Sequence, residues 1–358
     1  MDALMLPLNW QRVRLGDIAN YLTSNLSAEQ ITQQGKIKVY DVNNFIGYTD
    51  TTFISDKPYI SIVKDGSVGR VRILPPKTNI LSTMGALIAN HRTTTEFLFY
   101  LLSNFDFKNF TSGSIIPHIY FKDYKEKTIF LPPLNEQSAI ANILSGLDRY
   151  LYALDALILK KEGVKKALSF ELLSQRKRLK GFNQAWQRVR LGDIANYLTS
   201  NLSAEQITQQ GKIKVYDVNN FIGYTDTTFI SDKPYISIVK DGSVGRVRIL
   251  PPKTNILSTM GALIANHRTT TEFLFYLLSN FDFKNFTSGS IIPHIYFKDY
   301  KEKTIFLPPL NEQSAIANIL SDLDNEIASL KNKKRQFENI KKALNHDLMS
   351  AKIRVLEK

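Results

Sequence analysis

Leu131-Pro-Pro-Leu-Asn-Glu-Gln-Ser-Ala-Ile-Ala-Asn-Ile-Leu144 is the stretch that decides the fold, and it returns unchanged at residues 307–320. The two prolines restrict the backbone where the chain leaves the preceding segment, because proline fixes its own φ and limits the conformation of the residue before it. Asn135 is predicted to cap a helix, and Glu136 places negative charge on its first turn. Each copy therefore predicts where a β-rich globular segment ends and a long helix begins.

These two stretches belong to a long internal repeat. Residues 10–145 are identical to residues 186–321 at all 136 positions, with an offset of 176. Beyond that part the copies diverge but stay in register, so that residues 165–168 and 341–344 both read Lys-Lys-Ala-Leu. Identity over this length indicates recent duplication or deliberate construction. Selection that preserved only the fold would have allowed the residues at surface positions to diverge.

Within each copy the hydrophobic pattern is mixed. Residues 59–63 and 70–74 alternate as strands around a Gly-containing turn, which predicts a hairpin. Residues 14–22 suggest a strand or turn followed by one helical turn, and Glu96–Leu102 forms a compact apolar helix. Further strand candidates are residues 36–40, 79–83, 85–89 and 127–131. Each copy is therefore predicted to be an α+β domain of about 130 residues.

The long helices are predicted from an absence of helix breakers. Residues 311–358 contain neither Gly nor Pro, and residues 135–180 contain only Gly146 and Gly163. A helix of ~40 residues spans about 60 Å and needs a partner helix. Heptad spacing places apolar residues along one seam. Its members are Ile140, Leu147, Leu154 and Leu168 beside Ile143, Tyr150, Leu157 and Val164, and in the second copy Ile316, Ile319, Leu323, Leu330, Phe337, Ile340 and Leu344.

The order of the chain predicts how these helices pair. The second helix can pack along the first only by running back toward the first domain, so the pair should be antiparallel. The predicted fold class is α+β, with two globular mixed α/β domains at opposite ends of an antiparallel two-helix coiled coil and pseudo-two-fold symmetry. The predicted boundaries are 1–134 for the first domain, 135–180 for its helix, 181–310 for the second domain and 311–358 for its helix.

Composition narrows the class of partner. The formal net charge is +13 and the pI is about 9.5. This positive charge favours a polyanionic binding partner, although it also fits a basic surface that is simply solvated. The absence of cysteine excludes disulfides and thiolate metal sites. No apolar run reaches the ~20 residues of a membrane span, and the first residues do not resemble a secretory signal. A cytoplasmic protein without a membrane partner is expected.

A search for catalytic motifs finds none. The sequence has no Gly-rich phosphate loop ending in Gly-Lys-Ser/Thr, no paired-His zinc motif and no Gly-x-Ser-x-Gly elbow. It also lacks the Asn/Asp-Pro-Pro-aromatic motif of amino-methyltransferases and the Glu-x-Lys pair of metal-dependent nucleases. The five histidines lack metal-ligand spacing; they are His91, His118, His267, His294 and His346. No catalytic residue, metal site or cofactor is therefore expected in this chain.

Polar and aromatic residues near the predicted loops suit contact with DNA. Amide, hydroxyl and basic groups can hydrogen-bond to base edges or phosphates, although each residue taken alone also fits a structural role. The Gly66–Gly69 turn could offer backbone amides to a phosphate or could simply close a hairpin. The candidates are Tyr40, Asn43, Asn44, Tyr48, His118, Tyr120 and Lys122, of which the last three follow a polar loop that begins at Thr111.

The combination of motifs resembles a known family. The segments that carry the resemblance are Ser112-Gly-Ser-x-Ile-Pro-His-x-Tyr-Phe-Lys-Asp123, Leu131-Pro-Pro-Leu-x-Glu-Gln137, the Trp10-x-x-Val-x-Leu-Gly-Asp-Ile18 opening and the Lys180-Gly-Phe-x-x-x-Trp186 re-entry. Together they are similar to the specificity subunits of type I restriction–modification systems. The resemblance covers the whole chain in the order recognition domain, helix, recognition domain, helix.

This resemblance implies a non-catalytic subunit that reads double-stranded DNA. Its partners would be two modification subunits that carry S-adenosylmethionine, and two restriction subunits, which use ATP and Mg, in complexes that also cleave. By the family pattern, the loops after Lys38, at Ser67–Arg70 and at Ser112–Lys122 face the major groove. This adds Ser67, Arg70, Ser112 and Ser114 to the candidates, and the copies are Tyr216, Asn219, Asn220, Ser243, Arg246, Ser288, Ser290, His294, Tyr296 and Lys298.

The chain departs from the usual pattern of this family, whose members carry two different recognition domains and read an asymmetric site. Two identical domains in opposite orientations predict an inverted repeat: a short half-site, a nonspecific spacer and the reverse complement. Two alternatives stay open. One is a non-catalytic coiled-coil scaffold that binds a protein dimer, and the other is a stand-alone nuclease, for which the sequence shows no carboxylate–lysine cluster.

Overall fold

The computed structural model describes residues 9–42, 44–218 and 220–355 of the chain. They form two compact units. The first unit contains residues up to 155 together with those from 332 onward, and the second contains residues 156–331. Each unit holds one copy of the globular domain, part of the helix that follows that domain, and part of the other long helix.

Strands dominate the globular domains, and most recur at the same offset of 176 in the second copy. The first domain contains β1 (Gln11–Arg14), β2 (Ala19–Thr23), β3 (Ile37–Tyr40), β4 (Phe45–Thr49), β5 (Tyr59–Val63), β6 (Val71–Leu74), β7 (Asn79–Ile80), β8 (Met84–Ala89), β9 (Thr111–Ser112), β10 (His118–Ile119) and β11 (Thr128–Leu131). The second contains β12 (Gln187–Arg190), β13 (Ala195–Thr199), β14 (Ile213–Tyr216), β15 (Phe221–Thr225), β16 (Tyr235–Val239), β17 (Val247–Leu250), β18 (Asn255–Ile256), β19 (Met260–Ala265) and β20 (Thr304–Leu307).

Four short and two long α-helices complete the described chain. The short helices are α1 (Thr95–Ser103), α2 (Phe121–Tyr124), α4 (Thr271–Ser279) and α5 (Phe297–Tyr300), and the long helices are α3 (Leu134–Leu173) and α6 (Leu310–Met349). In this part of the chain, no helix combines the length and apolar character that crossing a membrane requires.

The strands of the first domain form four small sheets. The four-stranded sheet has the order β2-β8-β5-β6, the three-stranded sheet has the order β4-β3-β7, and β1–β11 and β9–β10 are antiparallel pairs. The predicted hairpin is confirmed, since Ile60 of β5 pairs with Ile73 of β6. The helical turn predicted in residues 14–22 is confirmed as a 3-10 turn at Leu15–Asp17, and the residues after it form β2, in which Asn20 pairs with Ile88.

The four-stranded sheet buries one face against α1. Phe97 and Leu98 of α1 are fully buried in a cluster with Ile60 and Ile62 of β5, and Leu348 near the end of α6 joins the same cluster. Burying apolar surface in this way is the dominant stabilising contribution to a domain of this size. The end of the second long helix is therefore part of the core of the first unit.

The first turn of α3 differs from its predicted form. Asn135 is not the N-cap, because the helix already begins at Leu134. Glu136 does lie in the first turn as predicted, but it is 5% exposed and accepts a hydrogen bond from the indole nitrogen of Trp10 at 3.0 Å. Arg354 also donates to both oxygens of Glu136, and this hydrogen bonding raises the pKa of Arg354. A buried carboxylate thus joins the start of the domain to the end of the chain.

The neighbouring Gln137 is fully buried and fully hydrogen-bonded. Its side-chain oxygen accepts from the Thr93 hydroxyl and the Thr94 amide at 3.0 Å each, and its amide nitrogen donates to the carbonyls of Arg92 and Pro132 at 2.9 Å. A buried amide side chain is stable only when its polar atoms have partners. These bonds clamp the start of α3 to the loop before α1.

Within the first unit the segments of α3 and α6 run antiparallel. Lys341 forms an ion pair with Asp148, and further along both helices Lys334 pairs with Asp155 at 2.7 Å. Residue numbers rise along α3 as they fall along α6, so the helix directions are opposite. The Asp148 carboxylate also accepts from the Tyr100 hydroxyl at 2.7 Å, which links α1 to the helix pair.

The second unit repeats the Lys341–Asp148 contact with the two helices exchanged and adds a different ion pair further along them. Lys165 of α3 pairs with Asp324 of α6, and Lys161 pairs with Glu326 at 2.8 Å. At the domain start, Glu312 is fully buried and accepts from the Trp186 indole at 2.9 Å. The predicted antiparallel pairing is therefore confirmed within each unit, and Lys161 and Glu326, which interrupt the apolar seam, neutralise each other.

The apolar seam follows the prediction only in part. Ile140 and Leu154 are buried as predicted, but Leu157 and Val164 are 38% and 46% exposed, and Ile158 is buried instead. An α-helix drifts by about 20° per heptad from a strict seven-residue repeat, which moves the buried face onto neighbouring positions.

Both long helices end earlier than predicted. The first was expected to reach Lys180 but ends at Leu173, and the backbone turns left-handed at Gln175 with φ of 62°. The second ends at Met349, followed by Ala351 with φ of 58°. A left-handed residue just past a helix stops it by turning the last carbonyls toward new partners. The amino-acid composition around residues 173 and 349 did not indicate that the helices end there.

Replacing Arg178 with alanine should destabilise the second unit. Arg178 donates to the Glu312 carboxylate at 2.6 Å, and the carboxylate side chain is 1% exposed, so the variant leaves a buried charge short of a partner. Because the guanidinium is 26% exposed, we expect a loss of about 2 kcal/mol, below the full cost of breaking a buried pair. Denaturant unfolding of the purified chain measures this loss.

The matched control is Arg190→Ala in the same unit. Arg190 pairs with Glu302 at 2.7 Å, but both side chains are more than half exposed, so its loss should cost less than ~1 kcal/mol. Equal losses for the two variants would contradict a stabilising role for the buried carboxylate.

Candidate nucleic-acid interface

Two loops of the first domain are held together by backbone hydrogen bonds. One is the turn after β5, and the other is the β9–β10 ribbon, in which His118 pairs with Ser112. The Gly66 amide donates to the Pro117 carbonyl at 2.8 Å, and the Ile119 amide donates to the Lys64 carbonyl at 2.9 Å. Residues far apart in sequence therefore share one edge of the domain.

A His–Asp pair strengthens this junction. His118 Nδ1 lies 2.6 Å from Asp65 Oδ1, with both side chains about one-third exposed. An ionised carboxylate only accepts, so Nδ1 carries the proton and Nε2 is the remaining polar atom of the ring. The Tyr120 ring stacks with the imidazole at 6.4 Å between centroids, and the Lys122 ammonium lies 5.6 Å from the Tyr120 ring centroid. Three predicted residues thus form one aromatic and basic cluster.

The Gly66–Gly69 turn is a hairpin turn whose amides are used internally. Both glycines have φ of 81°, a left-handed conformation that favours glycine, and a Cβ at Gly69 would lie 2.7 Å from the Phe107 ring. The Gly66 amide binds Pro117, and the Gly69 amide binds the Val63 carbonyl at 2.9 Å. This arrangement favours the hairpin interpretation over a phosphate-binding nest.

A second cluster surrounds the β3–β4 hairpin. The Phe45 ring packs edge-on against Tyr48 at 5.1 Å and against Tyr40 at 6.0 Å. The Arg72 guanidinium lies 5.4 Å from the Tyr40 ring, and the Lys38 ammonium lies 6.0 Å from the Phe45 ring. Cations at these distances are attracted to the negative face of an aromatic ring. This cluster offers base-stacking and phosphate-binding groups side by side.

Strand β6 connects the two clusters. Arg70 precedes the strand beside the Asp65 turn, and Arg72 on the strand reaches Tyr40. We call the combined region the reading surface; in the first domain its residues are Lys38, Tyr40, Asn44, Phe45, Tyr48, Asp65, Ser67, Arg70, Arg72, Ser112, Ser114, His118, Tyr120 and Lys122. The sequence therefore predicted residues that lie together, although it did not indicate which loops touch.

The predicted residues are accessible. Tyr40, Tyr48 and His118 are half-buried, and the others that the structure describes are exposed: Asn44, Ser67, Arg70, Ser112, Ser114, Tyr120 and Lys122. The copies have the same exposures, with Tyr216 and His294 half-buried and Asn220, Ser243, Arg246, Ser288, Ser290, Tyr296 and Lys298 exposed. Asn43 and Asn219 lie outside the described residues.

Sequence reasoning missed Phe45, Asp65 and Arg72. Phe45 follows a polar loop at the start of a strand and is 44% exposed, so an aromatic residue in that position was a usable signal. Asp65 and Arg72 carried no such signal, because their partners lie 53 and 32 residues away in the chain.

The same geometry recurs in the second unit. His294 Nδ1 lies 2.7 Å from Asp241 Oδ1, and the Arg248 guanidinium lies 5.3 Å from the Tyr216 ring. In the first domain, burial and the charge of Asp65 raise the pKa of Tyr21. Within residues 9–42, 44–218 and 220–355, no three His, Asp or Glu side chains form a group that could hold a metal ion.

Comparison with known proteins identifies two matches to one family model. The model is described as the type I restriction modification DNA specificity domain, and it matches residues 7–161 and 183–339. The chain is also 25% identical to the type I restriction enzyme MjaVIII specificity subunit of Methanocaldococcus jannaschii, over 99% of this chain and 95% of that protein.

Solved structures share the fold. The crystal structure of the type I restriction–modification system S subunit from M. genitalium matches with a TM-score of 0.67 and 23% identity, over 97% of each chain. A chain from a structural study of complex assembly and conformational transition in the type I restriction–modification system matches with a TM-score of 0.58 and 16% identity, over 96% of this chain and 98% of that one.

Removing the carboxylate that holds His118 should loosen the β9–β10 ribbon. In an Asp65→Ala variant we expect amide hydrogen exchange across residues 112–119 to accelerate by up to about fivefold, the effect of losing one partly exposed side-chain hydrogen bond. Hydrogen-exchange mass spectrometry measures this change. The control is Asp123→Ala, which removes the same charge from an exposed position of α2. Equal acceleration in both variants would contradict an anchoring role for Asp65.

Proposed function

Because the chain belongs to the family of type I restriction–modification DNA specificity subunits, we propose that each of its two domains reads one half of a bipartite DNA site. The observation that carries this proposal is the reading surface, which places basic, amide, hydroxyl and aromatic groups on one edge of each domain. Such groups can bind phosphates and hydrogen-bond to base edges in the major groove. The net charge of +13 adds a sequence-independent attraction to DNA.

The proposed site is palindromic. The two domains are identical from residue 10 to residue 145 of the first copy, so both should read the same bases. Each domain is fixed to the start of its own helix by the same buried Glu and Gln. Because the helix segments run in opposite directions within each unit, we expect the two reading surfaces to meet DNA in opposite orientations. The target would then be a half-site, a spacer and the reverse complement.

In this proposal the chain is a non-catalytic subunit that positions its partners. Two modification subunits would bind S-adenosylmethionine and methylate adenine, and restriction subunits, where present, would use ATP and Mg. The exposed apolar side chains of α3 within the second unit support a helical docking surface, since Leu159 and Phe170 are 68% and 52% exposed. The same side chains would also serve a scaffold for a protein dimer, which is the second candidate function.

The test is the methylome of cells that express this chain with a compatible modification subunit. We expect methyl-adenine on both strands of a palindromic bipartite motif, detected by single-molecule sequencing. A bipartite direct repeat would contradict the inverted arrangement while retaining DNA reading. No motif at all, with a modification subunit shown to assemble, would contradict DNA reading and favour the scaffold.

The paired Arg70→Ala and Arg246→Ala variant should bind the site more weakly. If both arginines make bidentate base contacts, the loss should be about 2–6 kcal/mol, because each such contact contributes roughly 1–3 kcal/mol. Fluorescence anisotropy with the assembled complex at several salt concentrations measures this loss. A similar loss on every sequence, with a shallower salt dependence, would instead assign both side chains to phosphate.

The matched control is the Arg12→Ala and Arg188→Ala variant, which removes the same charge. Arg12 lies on β1 and packs 5.8 Å from the Phe130 ring, in the β1–β11 pair rather than on the reading surface. Its loss should affect specific binding by less than the loss of Arg70 and Arg246. An equal effect would show that total charge, not position, governs the affinity.

A further inference from the structure

A highly exposed apolar side chain lies between Ser114 and His118 of the reading surface. Ile115 lies at the tip of the β9–β10 ribbon with 92% of its surface exposed, and Ile116 beside it is 56% exposed. Their copies Ile291 and Ile292 have the same values. Among the described residues, no large apolar side chain is more exposed than Ile115 and Ile291. Single exposed apolar residues are common, but a neighbouring pair on a ligand-facing tip indicates contact with a partner.

The two ends of the tip are joined to the domain by defined contacts. Gly113 turns left-handed with φ of 88°, and a Cβ at that position would lie 2.4 Å from the Ile116 carbonyl oxygen. At the other end, the Pro117 carbonyl accepts from the Gly66 amide, and His118 is paired with Asp65. Isoleucine adds its own stiffness, since β-branching restricts χ1. The base of the loop is therefore fixed to the domain, and stiff apolar side chains project from it.

The surroundings of the tip identify the partner. Ser112 and Ser114, whose hydroxyls can meet base edges, precede it, while Tyr120 and Lys122 follow it. The major groove of B-DNA admits a two-stranded β-ribbon, and the only apolar group on its base edges is the 5-methyl of thymine. The basic and hydroxyl groups around the tip match the phosphates and polar base edges that surround this methyl group in the groove.

We propose that Ile115 and Ile291 read a thymine in each half-site through apolar contact with its 5-methyl group. This inference rests on the proposed function and adds a specificity-determining residue that the polar candidates did not include. The neighbouring serine hydroxyls can bond polar atoms of the same or the adjacent base pair, so the ribbon tip combines apolar and polar readout.

Replacing thymine by deoxyuridine tests the contact, because it removes only the 5-methyl and leaves base pairing intact. Each thymine of the methylome-defined site is replaced in turn, in both half-sites, and the affinity of the assembled complex is measured. One position should be sensitive, with a loss of about fourfold per half-site and about fifteenfold for both, the value of one buried methyl group.

A double-mutant cycle then assigns the contact to the ribbon tip. The Ile115→Ala and Ile291→Ala variant should bind thymine DNA more weakly, and deoxyuridine at the sensitive position should cost it no further affinity. The Ile115→Leu and Ile291→Leu control keeps an apolar side chain and should keep most of the sensitivity. Because both isoleucines are 92% exposed, none of these variants should alter the unfolding temperature.

The outcomes separate this inference from the proposed function. A complex with a sequence preference but no uracil-sensitive position, or equal losses for the alanine variant on thymine and deoxyuridine DNA, would overturn the thymine contact and leave DNA reading intact. A complex with no sequence preference would overturn both.

Discussion

A buried carboxylate at the first turn of each long helix is the interaction on which this structure depends. In the second unit Glu312 is fully buried and is bonded by the Trp186 indole and the Arg178 guanidinium. In the first unit Glu136 has the equivalent partners in Trp10 and Arg354. A buried charge is tolerated only when it is paired and hydrogen-bonded, so each carboxylate requires the domain start, the helix start and a returning segment to meet.

The two carboxylates are equivalent although their arginines reach them by different routes. Arg178 belongs to the short link that leads into the second domain, whereas Arg354 lies at the end of the described chain. The link between the domains and the C-terminal segment therefore each supply the arginine that pairs with a buried carboxylate. The fully bonded Gln137 and Gln313 beside them prevent the helix from rotating against the domain, so that the direction of each helix is set by the domain that precedes it.

The reading surface lies on a different part of the domain from the helix start. Its loops are secured by bonds of their own: the Asp65–His118 pair and the backbone bonds of Gly66 and Ile119. A recognition surface discriminates between sequences only if its groups are presented in fixed positions. The fold therefore separates two features, the bonded helix junction and the bonded loop edge that we propose for base recognition.

Sequence patterns predicted the elements whose determinants are local. The β5–β6 hairpin and α1 follow from alternation, a Gly-containing turn and an apolar helical run over fewer than twenty residues, and the repeat was visible by direct comparison. The long helices were predicted from the absence of breakers, but their ends were misplaced by several residues and their buried faces were predicted only in part. The antiparallel direction followed from chain order, because a long apolar seam needs a partner.

The candidate DNA-binding residues came from residue chemistry and family resemblance, but the contacts that hold their loops together did not. Asp65 lies 53 residues from His118, and Glu136 lies 126 residues from Trp10 and 218 from Arg354. No local pattern encodes such contacts. By itself, then, the sequence determined the repeat, the domain–helix order, the family and the chemical character of the reading loops. Only the tertiary structure decided which loops touch, which carboxylate is buried and which isoleucine faces solvent, because burial and hydrogen bonding depend on residues that folding alone brings together.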